Sequence, residues 1–310
     1  MRARAALLGV FAVSCLVTGC AKPPVKVFLM IGQSNVQGKG SMKHLEELAA
    51  AEPDKYGWAL KQRDDVWCFF GTLDDKDPND RAKDHKGPLK VGEFTFPTGR
   101  VGPEIGFGKV VGDAIDEPVL LLKACWGGQS LAVDFRSPSA GKWDKQFNTN
   151  EEKHWQPGST GWAYKQIFNE MHHCFDNWDK NYPDLAGRQH EIVGVVWFQG
   201  WNDLINGERA KEYKSNLEHF IKDLRKDLNA PNLPFVIGVV GVDGQEAKGG
   251  HILVREAQTT IADEPDFKGN VASVQTWPFW DPTAHGEGGY HYNGSASFYI
   301  QTGEAMGKAM

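Results

Sequence analysis

From Val25 onward the chain alternates short, continuous apolar runs with longer amphipathic stretches. Continuous apolar runs are typical of parallel strands buried on both faces, and amphipathic stretches are typical of crossover helices. The apolar runs predict strands at Val25–Ile31, Pro118–Ala124, Glu191–Phe198, Pro234–Val240 and Asn270–Thr276. The amphipathic stretches predict helices at Pro103–Ile115, Gly161–Trp178, Glu208–Leu228, Ile252–Ala262 and Gly294–Met310. This order predicts an α/β fold, a three-layer α/β/α sandwich around a central parallel sheet of about five strands.

Two long segments interrupt the alternation. Asp54–Gly99 and Val133–Ser159 are rich in Asp, Lys, Gly and Pro. Connections of this length in a compact domain usually carry function or are disordered. We expect both to be insertions near the carboxyl ends of the strands, where open α/β sheets bind ligands.

The first twenty residues have the pattern of an export signal. Two arginines precede an apolar run that is too short for a permanent membrane span, and small residues precede Cys20. The ending Val17-Thr18-Gly19-Cys20 resembles a bacterial lipobox, in which the cysteine is lipidated; a plain signal peptide cleaved nearby is the alternative. We therefore expect a signal peptide over 1–20 and a single domain over 21–310. We also expect the protein to be exported and held by a lipid anchor at Cys20 on the periplasmic or outer face of a bacterial envelope.

The composition narrows the function classes. The chain of 310 residues has a formal net charge of −6 and contains no cluster of consecutive Lys or Arg residues. A nucleic-acid-binding surface needs a clustered basic face, so we expect no nucleic-acid partner. The cysteines beyond the signal segment lack paired spacing and predict no disulfide framework: Cys68, Cys125 and Cys174.

A metal site is also not expected. His172, His173 and Cys174 are metal-ligating residue types in one run, but adjacent residues of a helix point to different faces. No further histidine or cysteine follows at the spacing of one helical turn. This run therefore predicts no metal site.

Two serines compete as a nucleophile. A nucleophilic serine needs a base, donors aimed at the developing oxyanion, and a turn that exposes its Oγ. The G-x-S-x-G turn of many serine hydrolases does not occur in this chain. Ser34 follows the first predicted strand in "GQSN", whereas Ser130 follows the second behind Gly127 and Gly128. The residue types alone do not decide which of the two serines is the nucleophile.

Four sequence blocks resemble the SGNH (GDSL-like) hydrolases. They are "GQSN" at 32–35, "CWGGQSL" at Cys125–Leu131, "VWFQGWND" at Val196–Asp203 and "GGYHYNGSA" at Gly288–Ala296. The residues of the first and third blocks are most similar to those of the branch that contains sialate O-acetylesterases and carbohydrate esterase family six. The resemblance implies a flavodoxin-like SGNH fold, with Ser34 as nucleophile and His291 as general base. It makes Ser130 a residue of the oxyanion loop.

The resemblance also implies an oxyanion hole. In the family this hole consists of the nucleophile's own N–H, a glycine N–H of the second block and a side-chain amide of the third. Gly128 is the expected glycine, with Gly127 as the near alternative. Asn202 is the expected amide, with Gln199 second, because both side chains can donate an N–H.

The acid of the family's D-x-x-H pattern is absent, because position 288 is Gly. Such a carboxylate fixes the tautomer of the histidine and stabilises the imidazolium. Glu287, one residue further back, and Asp281 are the alternatives, and a Ser-His pair oriented by a backbone carbonyl is a third. His285 lies in the same Gly-rich segment, where we expect it to be solvated rather than to act as the base.

The function implied by the resemblance is removal of acetyl groups from a carbohydrate, an acetylated polysaccharide or sialic acid, without a cofactor. Trp126, Trp201 and Gln129 lie within the second and third blocks and are expected substrate contacts. The alternative, suggested by the missing acid, is a carbohydrate-binding relative that has lost turnover. A lipase-like esterase is disfavoured because the predicted site loops are polar.

Overall fold

The computed structural model describes residues 22–73, 81–143 and 160–310. In these ranges the strands are β1 (Val25–Gly32), β2 (Gly40–Ser41), β3 (Arg63–Leu73), β4 (Arg81–Leu89), β5 (Arg100–Val101), β6 (Val119–Cys125), β7 (His190–Phe198), β8 (Phe235–Val239) and β9 (Val271–Gln275). The α-helices are α1 (Ser34–Gln37), α2 (Met42–Ala51), α3 (Pro53–Tyr56), α4 (Glu104–Ala114), α5 (Trp162–Phe175), α6 (Trp178–Asn181), α7 (Trp201–Leu204), α8 (Gly207–Asp227), α9 (Gly250–Thr260) and α10 (Ala296–Ala309). Short 3₁₀ helices cover Gly57–Leu60, Pro138–Ala140, Pro183–Leu185, Gly244–Glu246, Ile261–Asp263, Trp277–Phe279 and Gly289–Gly294.

The expected signal peptide and lipobox lie outside the described residues. In the part of the chain that the structure describes, no helix combines the length and apolar character needed to cross a bilayer.

The main sheet follows the order β4-β3-β6-β1-β7-β8-β9 in the described ranges. All neighbouring pairs are parallel except β3 with β4, which is antiparallel. The α/β sandwich is confirmed, but the sheet has seven strands rather than about five. The two additional strands come from Asp54–Gly99, which the sequence analysis treats as an insertion.

The composition of β3 and β4 explains why the hydrophobic pattern of the sequence does not predict these two strands. β3 begins with charged residues, and only its middle, Val66–Phe70, is apolar and buried. β4 is a polar edge strand that carries Gly87 and Pro88 near its end. Charged residues and proline are common devices that protect an exposed sheet edge, and they remove the hydrophobic signal of a strand.

Alternate residues of the strands enter two separate core layers. Val27, Leu29 and Ile31 of β1 belong to a cluster that includes side chains of α5, α8 and α9. Phe28 and Met30 belong to a second cluster with side chains of α2, α4 and α10. Because both faces of β1 are covered, its carboxyl end is fixed at the centre of the sheet.

Candidate active site

The first three sequence blocks converge because they follow adjacent strands. β6, β1 and β7 are neighbours and run parallel, so their carboxyl ends meet at one edge of the sheet. At the end of β1, a Cβ on Gly32 would lie 2.3 Å from the carbonyl oxygen of Phe198 in β7. Only glycine permits this approach of the two strands.

Ser34 is the first residue of the short helix α1. The N–H groups of a first helical turn have no partner in the preceding turn, so the Ser34 N–H is a possible donor to a substrate oxygen. The side chain of Ser34 borders a cavity of about 440 Å³. The residues around this cavity come from all four sequence blocks, from the stretch directly after the first block, from the end of β3 and from the loop between β4 and β5: Gln33, Ser34, Gln37, Lys39, Gly71, Thr72, Phe96, Trp126, Gly127, Gly128, Trp201, Asn202, Tyr290 and His291.

His291 faces the same cavity from the loop before α10. Its Nδ1 lies 2.9 Å from Oε2 of Glu287. An ionised carboxylate only accepts hydrogen bonds, so this contact assigns the proton to Nδ1 and leaves Nε2 as the basic nitrogen. Within the described residues no hydrogen bond joins Ser34 Oγ to the ring; in sites without substrate such contacts are often long and tighten on binding.

Asp281, the other acid considered, pairs with a different histidine. Its Oδ2 lies 3.0 Å from Nε2 of His285, and its Oδ1 accepts the backbone N–H of Thr283. Glu287 is four residues before His291, and its side chain is one methylene longer than that of aspartate. The structure therefore places Glu287, rather than Asp281, on the histidine that borders the cavity.

Two further side chains fix the loop that carries His291. The Asn35 side chain donates to the carbonyl of Tyr290 at 3.1 Å. The hydroxyl of Tyr299 in α10 donates to Oδ1 of Asn35 at 2.6 Å and lies 3.3 Å from the carbonyl oxygen of His291. Asn35 directly follows Ser34, so this link ties the turn of the serine to the loop of the histidine.

Charged groups also converge on His291. Burial lowers the pKa of His291; the hydrogen bond that its Nδ1 donates to Glu287 raises this pKa, and the cations of Lys39 and Arg100 lower it. Burial likewise lowers the pKa of Lys39, whose ammonium donates to the carbonyl of Phe96. The histidine is therefore held largely as a neutral base near pH 7.

Candidate oxyanion donors lie beside Ser34. A Cβ built on Gly127 would be 3.7 Å from Cβ of Ser34 and 3.2 Å from Oε1 of Gln37. Gly128 has a φ of +77°, a left-handed conformation that favours glycine. The Oδ1 of Asn202 accepts from Gln33 at 3.1 Å, which leaves the Asn202 amide N–H groups to face the cavity.

Gln199 does not border the cavity. Its amide nitrogen donates to the carbonyl of Gln129 at 3.0 Å and to Asp203 at 2.6 Å, and its Oε1 accepts from the hydroxyl of Tyr213. These contacts are buried and occupy both ends of the amide. Gln199 thus holds the second and third blocks together, and Asn202 is the amide of the third block that faces the cavity.

Asp203 completes this buried network. It accepts the backbone N–H groups of Leu131 and Ala132 at 2.8 and 2.9 Å, which anchors the glycine loop to α7. Burial raises the pKa of Asp203 to about 6.

A family model of carbohydrate esterases, described as sialic acid-specific acetylesterase, matches residues 24–310. The chain belongs to this family. The resemblance inferred from the four sequence blocks is thereby confirmed. The chain is also similar to a probable carbohydrate esterase of Arabidopsis thaliana, with 26% identity over 249 residues, which cover 76% of this chain and 75% of that protein.

Several solved structures are similar in fold to this chain. The structure of the Arabidopsis thaliana protein has a TM-score of 0.59 at 19% identity and covers 93% of this chain and 98% of its own. A carbohydrate acetylesterase from Xanthomonas citri has a TM-score of 0.56 at 16% identity and covers 92% of this chain and 57% of its own. NanS has a TM-score of 0.53 at 16% identity and covers 93% of this chain and 97% of its own.

In this family member the expected aromatic contacts differ in exposure. Trp126 is nearly buried and packs edge-to-face on Trp162, whereas Trp201 is partly exposed and lies 5.6 Å from the ring of Tyr290. Both tryptophans border the cavity, as do the exposed rings of Tyr290 and Phe96, which the sequence analysis missed. The rim therefore presents aromatic faces of the kind on which sugar rings stack.

The position of Gln129 differs from the expectation that this residue contacts the substrate. Its side chain is fully buried, its amide donates to the carbonyl of Gly127, and it does not border the cavity. The glycine turn folds the amide back onto its own backbone, so Gln129 shapes the loop and does not face a substrate.

In the described residues, the side chains of His44, Asp281 and His285 are close enough to consider as metal ligands. However, the two histidine rings are stacked at 3.5 Å with an interplanar angle of 12°. A metal would have to lie in both ring planes, which parallel rings do not allow. His44 Nδ1 also accepts the N–H of Ala296, so the lone pair of that nitrogen is already used.

Proposed function

We propose that this chain is a serine esterase that removes O-acetyl groups from carbohydrates through an acetyl-enzyme on Ser34. The observation that carries the proposal is the meeting, in one cavity, of a serine at a strand end and a histidine whose Nδ1 is hydrogen-bonded to Glu287. Membership of a carbohydrate esterase family, and a carbohydrate acetylesterase among the proteins of similar fold, support the substrate class.

The proposed reaction has two halves. Nε2 of His291 takes the proton of Ser34 Oγ while the oxygen attacks the acetyl carbonyl, and Glu287 stabilises the imidazolium. The N–H groups of Ser34 and Gly128 and the side chain of Asn202 hold the oxyanion. The sugar hydroxyl leaves with the proton from His291. Water, activated by the same nitrogen, then attacks the acetyl-serine and releases acetate and free Ser34.

The alternative, a carbohydrate-binding protein without turnover, was suggested by the missing D-x-x-H acid. The hydrogen bond between Glu287 and His291 argues against this alternative, because it puts a carboxylate on Nδ1, where the family's acid is expected. Export to a bacterial envelope, with a lipid anchor at Cys20, belongs to the proposal on the basis of the sequence alone.

The covalent intermediate gives a direct test. The enzyme is mixed with an aryl acetate, quenched in acid within milliseconds, digested with protease and analysed by mass spectrometry. We expect one added acetyl group on the peptide that contains Ser34 and none on the peptide that contains Ser130. Acetyl transfer to another residue, or hydrolysis with no labelled serine at any quench time, would contradict the proposal.

Replacement of Asn202 by alanine should lower kcat by about 10²–10³, the usual loss for one oxyanion donor. The free energy of unfolding should change little, because Asn202 makes its side-chain contact at the edge of the cavity. Gln199→Ala is the matched control: it should lower the unfolding midpoint in urea more than Asn202→Ala does, because its buried amide partners lose their contacts. A larger kcat loss for Gln199→Ala, with the fold retained, would assign the oxyanion donor to Gln199.

The pH dependence follows from the environment of His291. Only the neutral ring can accept the proton of Ser34, so activity falls as the pH drops through the pKa of His291. Because burial lowers this pKa, the acid limb of kcat/KM should have its midpoint below the ordinary histidine value of about 6.5. A midpoint above that value, measured with an aryl acetate, would contradict the assignment of His291 as base.

A further inference from the structure

The carboxylate of Glu287 is shared between two partners. Its Oε2 accepts from His291 Nδ1 at 2.9 Å, and its Oε1 lies 3.1 Å from a guanidinium nitrogen of Arg100. Each oxygen therefore has one charged or chargeable partner. A carboxylate held at both oxygens cannot rotate without breaking one of these contacts.

Arg100 approaches from a separate and well-anchored element. It lies in β5, which pairs antiparallel with β2, so that Arg100 is opposite Ser41. Its backbone N–H also donates to Oγ1 of Thr95 at 3.2 Å. β2 begins three residues after α1, the helix of Ser34. The guanidinium is thus fixed to the part of the chain that positions the nucleophile.

Glu287 itself lies in a segment whose glycines have much conformational freedom to lose on folding. Gly286, Gly288 and Gly289 surround it in sequence, and the glutamate side chain has one more rotatable bond than aspartate. Ordering such a residue costs more conformational entropy than ordering an aspartate on a rigid turn. Arg100 offsets this cost, because its contact with Oε1 and the His291 contact with Oε2 together restrain both oxygens of the carboxylate.

We propose that Arg100 is a positioning residue of the active site, which holds Glu287 in the orientation that accepts the hydrogen bond of His291. The arginine replaces, from another strand, the rigidity that the D-x-x-H spacing supplies elsewhere in the superfamily. The inference rests on the proposed Ser-His-Glu mechanism but concerns a contact that can be measured without turnover.

Kinetics of a double-mutant cycle test the coupling. Arg100→Met should lower kcat for an aryl acetate by about 10-fold to 100-fold, with KM nearly unchanged. Arg100→Lys should recover part of this loss, because lysine keeps the charge but not the fork. In a Glu287→Gln background, Arg100→Met should cause no further loss. An equal loss in both backgrounds would overturn the proposal, because Arg100 would then act independently of Glu287.

The matched control is Arg63, which also pairs with two carboxylates, Asp65 and Asp113, but at the amino-terminal end of β3. Arg63→Met removes an ion-paired arginine far from the cavity and should leave kcat close to wild type. An equal kcat loss in Arg63→Met and Arg100→Met would reduce the effect to general destabilisation and overturn the proposal.

A spectroscopic measurement needs no activity. In proton NMR at low temperature, the Nδ1–H of His291 should give a far-downfield resonance, assigned by its loss in His291→Ala. We expect the resonance to disappear in Glu287→Gln, to shift upfield or broaden in Arg100→Met, and to persist in Arg63→Met. An unchanged resonance in Arg100→Met would overturn the positioning role. A wild type that shows the resonance but hydrolyses nothing would instead count against the proposed function.

Discussion

Ser34→Ala should abolish hydrolysis of both an aryl acetate and an acetylated oligosaccharide. The change removes only the nucleophilic oxygen from the start of α1, so the loss should appear in kcat with the fold intact. Triad members act as a unit, and removal of one alone costs several orders of magnitude, about 10⁶ in kcat for a serine nucleophile in a known protease. Initial rates, together with a circular dichroism spectrum and a thermal melt, measure both parts of this expectation.

Ser130→Ala is the matched control for that result. Ser130 is buried, and its Oγ donates to Asp134 at 2.8 Å and accepts the N–H of Val133 at 3.2 Å. The variant should lose about 1 kcal/mol of stability with the hydrogen bond and keep most of its hydrolysis. If Ser130→Ala were inactive and Ser34→Ala active, the nucleophile would be misassigned.

Glu287→Gln should lower kcat by about 10⁴, the size of the loss when the acid of a Ser-His-Asp triad becomes an amide. The amide no longer stabilises the imidazolium and can present an N–H to Nδ1, which favours the wrong tautomer. KM should stay nearly unchanged, because Glu287 does not border the cavity. Steady-state kinetics with an aryl acetate separate the two parameters.

Asp281→Asn is the control for this experiment, since Asp281 pairs with His285 in the same loop. It should retain kcat within about tenfold of wild type, because it lies outside the contact with His291. A large loss in Asp281→Asn but not in Glu287→Gln would transfer the acid role to Asp281. If neither change mattered while His291→Ala was inactive, a backbone carbonyl would have to orient the ring.

Much of the fold follows from the hydrophobic pattern. The five predicted strands correspond to β1, β6, β7, β8 and β9 with ends that differ by at most one residue. β1, β6 and β8 read as continuous apolar runs because nearly all of their residues are buried, whereas β9, at the other edge of the sheet, is only partly buried. β3 and β4 lie toward one edge of the sheet, where one strand is half charged and the other is polar. The charged and polar residues of these two strands weaken the hydrophobic signal on which the prediction depends.

The positions of Ser34 and Asn202 at the cavity were predictable, because both residues lie in short motifs directly after strands. Gln199 and Gln129 show the limit of this reasoning, because a motif does not reveal whether an amide faces a cavity or a buried network. Arg100 was missed for a different reason. It reaches Glu287 from a two-residue strand in a segment without a motif, and only the folded chain brings the two together.

We propose that this chain cleaves acetyl esters of carbohydrates with Ser34 and His291. This proposal is tested most directly by acetate release from a panel of acetylated polysaccharides and O-acetylated sialic acids, with wild type, Ser34→Ala and His291→Ala in parallel. We expect wild type to release acetate from at least one member of the panel and both variants to release none above background. The proposed function is contradicted if wild type binds acetylated glycan but releases no acetate from any member, and if binding is unchanged when His291 is replaced.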